Sequence, residues 1–133
     1  MQYGFSWACE YGHTPVVAFL LKMGVDVNSQ PHGETGLHWA GYGGHAEIIK
    51  LLLKHKPPLH LRDQRFGATP IGWTLHGWCY PPPDAARSNY HQSAALLISA
   101  GSKIDPVKDL DRGQMKKLKN DSRMAKILRV SHS

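Results

Sequence analysis

The sequence predicts an all-α fold, a solenoid of stacked helix–turn–helix units joined by hairpin loops. Three observations predict it. Tryptophans recur at 7, 39 and 73, at spacings of 32 and 34. Gly12-His13 returns as Gly44-His45, and Phe19-Leu20-Leu21 returns as Leu51-Leu52-Leu53, each 32 residues on. A period of this size marks units that cannot bury an apolar face alone and therefore stack on copies of themselves.

Unit 1 covers about residues 1–32 and unit 2 about 33–66. In unit 2, Thr35 is placed to cap a first helix, and Gly43-Gly44 ends it. A second helix runs from Ala46 to about Lys54 and sets Ile48, Ile49, Leu52 and Leu53 on one face. Unit 3 covers about 67–105 and opens with Thr69-Pro70, where proline suits the first helical turn. Its last apolar triplet, Leu96-Leu97-Ile98, lies 45 beyond the second copy, so unit 3 carries an insertion of about 11 residues near 79–89. Pro81-Pro82-Pro83 cannot continue a helix. Asp84 is a reasonable cap for a second helix over about 84–99. Residues 106–130 read as a degenerate unit with helices over 114–120 and 122–130. Met115 and Leu118 form one stripe; Met124, Ile127 and Leu128 form the other. A terminal unit with a polar outer face keeps such an array soluble.

Residues 33–40 (Gly-Glu-Thr-Gly-Leu-His-Trp-Ala), 44–53 (Gly-His-Ala-Glu-Ile-Ile-Lys-Leu-Leu-Leu) and 24–28 (Gly-Val-Asp-Val-Asn) resemble the ankyrin repeat. The resemblance covers about 2–105 as three units and implies hairpins at about 28–35 and 60–69. It implies structural hydrogen bonds for His13, His38 and His45, and a packed thiol at Cys9. Unit 1 departs from the pattern: Tyr3-Gly4 stands where Thr-Pro is usual. It reads either as an eroded cap or as part of a longer array. Lys56-Pro57-Pro58 replaces the glycine-led turn of the pattern, and Gly72 stands at its histidine position.

Composition bounds the function. The net charge is +6, with 16 Lys and Arg against 10 Asp and Glu. Residues 1–100 hold seven basic and six acidic side chains, so the excess sits in the last quarter. No run of 18 apolar residues is present to span a membrane, and no secretory signal is visible. Two cysteines, Cys9 and Cys79, do not make a disulfide scaffold, so a cytoplasmic setting is expected. The nine histidines form no ligand-spaced pair with a carboxylate, there is no Cys-x-x-Cys, and no nucleophile or phosphate-loop motif occurs. No metal, cofactor or catalytic set is therefore expected, and the chain is read as a monomeric non-enzyme.

The resemblance implies a scaffold-type module that binds a protein or peptide on its concave face. Its variable positions map to Glu10, Tyr11, Tyr42 and His76 on the first helices. The hairpin positions map to Gln30, His32 and Glu34, then Arg65, Phe66 and Ala68. Tyr11, Tyr42, Phe66 and His76 are expected to form an aromatic strip, suited to recognition because such rings are rigid and amphipathic. Trp78 and Tyr80 lie outside the repeat, beside the prolines. They are either interface anchors or the part of the insertion that covers the stack. The recurring Trp7, Trp39 and Trp73 are expected in the core. The alternative function is nucleic-acid or acidic-surface binding through Lys116, Lys117, Lys119, Arg123, Lys126 and Arg129. Against it, that tail has no aromatic residue to stack bases.

Overall fold

The computed structural model describes residues 1–83 and 88–129. Among them are nine helices and no β-strand, so the all-α expectation holds. Unit 1 contributes α1 (Gln2–Tyr11) and α2 (Thr14–Lys22), and unit 2 contributes α3 (Gly36–Gly43) and α4 (Ala46–Leu53). Unit 3 contributes α5 (Pro70–Cys79) and α6 (Tyr90–Ala100). A short α7 (Pro106–Asp109) leads to the cap, α8 (Arg112–Lys119) and α9 (Ser122–Leu128). The first helices pack in the order α1, α3, α5, and the second helices in the order α2, α4, α6.

None of these helices is long enough to persist alone, so packing holds them. One continuous core runs the length of the stack, from Phe5, Ala8 and Cys9 through Leu37, Ala40, Ile48, Ile49 and Leu52 to Ile71, Leu75, Ala94 and Leu97. It continues into the cap at Leu118, Met124, Ala125 and Leu128. Burial pushes the Cys9 thiol up to about 12, so it stays protonated and packs as a small apolar group.

The capping chemistry follows the sequence closely. Thr35 and Thr69 accept hydrogen bonds from the backbone N–H groups of His38 and Gly72. The His38 ring joins units: Nε2 donates to the Ala68 carbonyl at 3.0 Å, while Nδ1 accepts from the Thr35 N–H at 3.2 Å. Because a carbonyl only accepts, Nε2 must carry the proton. His45 Nε2 likewise donates to the Glu10 carbonyl at 3.0 Å. His13 has a different environment: its ring stacks on Trp7, 4.6 Å between centroids. The hairpins form as turns; Gln64 N donates to the Gly33 carbonyl at 2.8 Å and links the two tips.

Two boundaries change. The predicted start of the second helix of unit 3, Asp84, lies outside the described residues. Ser88 and Asn89 are not helical, and α6 begins at Tyr90 with Asn89 accepting from the Gln92 N–H at 3.0 Å. In the cap, Asp111 and Gln114 make a reciprocal capping box, which starts α8 two residues before the predicted 114. The predicted end at Val130, like His132, lies outside the described residues.

Candidate functional site

A groove of about 590 Å³ opens between α3, α5, the second hairpin and the residues that lead into the cap. Trp39 and Tyr42 from α3, Trp73 and His76 from α5, and Arg65 and Phe66 from the hairpin line it. Its far bank is Lys108 to Asp111 with Gln114. The rings form one network. Trp73 meets Trp39 edge-on at 5.1 Å, Tyr42 at 6.3 Å and Phe66 at 6.1 Å, and Tyr42 stacks with His76 at 6.2 Å. Edge-on contacts of this kind add to the area buried by the rings.

The groove wall is held by Asp63, which is 3% exposed. Its carboxylate accepts from the N–H groups of Arg65, Phe66 and Ala68 and from Trp73 Nε1, at 2.6–3.0 Å. Burial pushes its pKa up, but these hydrogen bonds to the charged form outweigh burial and hold it below the ordinary value. One side chain thus shapes the hairpin tip and orients Trp73 at the same time. Close approach of α3 and α5 completes the wall. A side chain at Gly77 would collide with the Tyr42 carbonyl, and one at Gly41 with Thr74.

The expected site residues divide into three groups. Tyr42, Arg65, Phe66 and His76 come together in the groove, with Phe66 71% exposed and the Arg65 guanidinium 5.9 Å from its ring centroid. Tyr80 joins the rim: it is exposed, lies 5.1 Å from His76, and donates its hydroxyl to the Asp111 carboxylate at 3.2 Å. Glu10, Tyr11 and His32 lie elsewhere, toward unit 1. Tyr11 is 5.6 Å from Trp7, and His32 is 5.1 Å from Tyr3.

Glu34 and Trp78 are corrections. Glu34 is 1% exposed, and neither carboxylate oxygen has a hydrogen-bond partner in the described structure. It is not presented at the hairpin tip, because stacking of the first helices closes over residues 33–38. Nothing in the structure explains a carboxylate there. Trp78 is 4% exposed, because the cap folds over it. Lys117 donates to the Trp78 carbonyl at 2.6 Å and sets its ammonium 5.0 Å from the indole centroid.

Three groove components were not foreseen. Trp39 and Trp73, expected in the core, also line the groove; Trp73 is buried, Trp39 half-buried and Trp7 exposed. Asp63 gave no signal, because its four donors converge only when the hairpin closes on α5. The Lys108–Asp111 bank comes from a segment with no repeat register.

The basic cap side chains are all exposed, and Arg123 and Lys126 line a hollow of about 440 Å³ against Asn89, His91 and Gln92. His91 pairs with Asp121 at 2.7 Å. Among the described residues no group of three or more His, Cys, Asp or Glu converges on a metal position, and no helix is long and apolar enough to cross a membrane.

Comparison with known proteins adds a family pattern. Residues 5–53 match the family model described as ankyrin repeats (many copies). The SMC5-SMC6 complex localization factor protein 1 of Homo sapiens is 39% identical over 71 residues, covering 51% of this chain and 7% of that protein. Two solved structures overlie most of the chain. One is from the complex of the Bd0816 predatory endopeptidase of Bdellovibrio bacteriovorus with the immunity protein Bd3460. It has TM-score 0.71 and 28% identity, covering 94% of this chain and 61% of the matched one. The other is the human ASB11 ankyrin repeat domain, with TM-score 0.68 and 21% identity, covering 93% and 52%. The chain thus spans only part of the length of each protein it matches.

Proposed function

The chain is an ankyrin-repeat protein, and from that premise we propose that its aromatic groove binds another protein or a peptide, without catalysis. Ankyrin repeats are in general protein–protein interaction modules; the fold alone names no partner. The observation that carries this reading is the ring network at the groove. Phe66 is 71% exposed, with Tyr42 and His76 beside it and Trp73 anchored behind it by Asp63. Rigid aromatic side chains held by a second layer of contacts are preorganised for recognition, since little rotamer freedom is lost on binding. The likeness to a chain from a peptidase–immunity protein complex supports a folded protein as the partner class.

Capture of partners from a lysate by the wild-type chain and by a Tyr42→Ala, Phe66→Ala double variant tests the reading. Loss of an aromatic anchor pair is expected to weaken binding by on the order of tenfold or more. Equal recovery by both proteins removes the groove as the site. The alternative is a nucleic acid or acidic surface on α8 and α9, supported by the exposed Lys116, Lys119, Arg123 and Lys126. The same preparation passed over immobilised duplex DNA at low salt decides it, because phosphate binding is strongest there.

A further inference from the structure

Three helices of the stack begin with the same device, and in one of them it is incomplete. In α3 the cap residue Thr35 accepts from the His38 N–H, and the His38 ring returns to the Thr35 N–H. In α8 the cap residue Asp111 accepts from the Gln114 N–H, and the Gln114 side chain returns to the Asp111 N–H at 2.9 Å. In α5 the cap residue Thr69 accepts from the Gly72 N–H, but Gly72 has no side chain to return. Among the described residues the Thr69 N–H meets no acceptor. A donor at a helix start is ordinarily served by a side chain, by water or by a ligand.

A spacing of 34 residues carries His38 onto Gly72, Thr35 onto Thr69 and Trp39 onto Trp73. His38 does more than close its own capping box. Its ring is fully buried, meets the Trp73 ring edge-on at 5.4 Å, and reaches the carbonyl of Ala68, the residue before the next cap. The residue before the cap of α8 is Leu110. Leu110 and Gly72 line the aromatic groove together with Ala68 and Trp73. The glycine thus gives to the groove the space that an imidazole fills one unit earlier. A side chain fits there, because a Cβ on Gly72 would make only ordinary contacts, with Ala68 at 3.5 Å and Thr69 at 3.6 Å. The polar groups match as well. The Thr69 N–H calls for an acceptor at one edge of such a ring. The opposite bank carries the Asp109 and Asp111 carboxylates, whose charge suits an N–H at the other edge. Among ring side chains, neutral histidine alone carries an acceptor nitrogen and an N–H on separate atoms.

We infer that the groove takes a histidine side chain of its protein or peptide partner, with the ring seated over Gly72 between Thr69 and the Leu110–Asp111 bank. The inference rests on the groove being the binding site. Amide NMR with 4-methylimidazole, the histidine side chain without its backbone, tests it at about pH 7.5, where much of the ring is neutral. Pyrrole, which has the N–H but no acceptor nitrogen, is the control. In the wild type the Thr69 N–H is expected to move downfield and saturate with 4-methylimidazole, and to stay in place with pyrrole. Gly72→His supplies the ring from within the chain. Its Thr69 N–H is expected to lie downfield from the start and not to respond, with a thermal midpoint higher by about 2–6 °C. Gly72→Leu fills the space without a nitrogen and is expected neither to shift Thr69 nor to respond. A wild-type Thr69 N–H that does not move, or that moves equally with pyrrole, overturns the inference. So does a Gly72→His variant that responds as the wild type does. Partner capture separates this from the groove reading itself. Partners lost by Tyr42→Ala, Phe66→Ala but kept by Gly72→His leave the groove as the site and overturn the histidine.

Discussion

His38 and Asp63 show how single side chains tie the units together, and both respond to pH. Burial holds the His38 pKa below its ordinary value, against smaller opposing contributions from the Ala68 hydrogen bond and the Asp63 charge. The neutral ring is the form that accepts from Thr35 and donates to Ala68. Protonation is therefore favoured in the unfolded chain. The stability His38 supplies is fully present above about pH 6.5 and is lost as pH falls through its folded pKa. Asp63 and Asp121 also have lowered folded values; in each, burial raises the pKa and hydrogen bonds to the charged form more than reverse it. For Asp121 those bonds come from Met124 N–H and His91. Their contribution is present above about pH 4 and is lost below it. Urea midpoints measured against pH are expected to fall in two stages. His38→Gln is expected to lower stability at neutral pH and to flatten the slope between about pH 7 and about pH 5. An unchanged slope in that variant would remove His38 as its source.

The helix ends differ between units at one position. Units 1 and 3 end their second helices with Gly24 and Gly101 at φ 90° and 118°, the left-handed conformation that glycine adopts without strain. Unit 2 has Lys56 at the corresponding place, with φ 50°. A side chain with a Cβ pays about 1–2 kcal/mol for that conformation. The backbone turn thus survives the substitution seen in the sequence, at a cost in stability. Lys56→Gly is expected to stabilise the protein by about 1 kcal/mol, net of the greater entropy glycine loses on folding, read as a higher thermal or urea midpoint. A lower midpoint would mean that the lysine side chain makes a compensating contact. The hairpins differ in the same way. The sequence places them correctly, but the tip at 63–68 owes its shape to Asp63 and Trp73, ten residues apart and joined only in the folded chain.

At the scale of the whole molecule, α8 packs on α5 and α9 on α6. Trp78 sits at that junction: buried at the end of α5, it lies under Lys117 of α8. Trp78→Ala is expected to cost about 3–5 kcal/mol and to raise hydrogen exchange in α8 and α9 before the rest of the array. Uniform exchange along the chain would show that the cap is not a separable layer. The repeat register was legible because stacking imposes the same small, apolar and capping residues on every unit. Thr35, Thr69 and the core positions could thus be placed from spacing, and the roles of His38 and His45 from the family resemblance. The aromatic strip was legible in part. Tyr42, Phe66 and His76 follow the repeat, whereas Tyr11 belongs to a different cluster and Glu34 and Trp78 are buried. Those outcomes depend on which neighbour covers a position, and a repeat period carries no such information. The fold class and the caps at Thr35 and Thr69 could be read from the chain alone, because they rest on local propensity and periodic burial. The groove wall at Asp63 and the cover over Trp78 emerge only in the folded chain, because exposure is set by what packs against each residue.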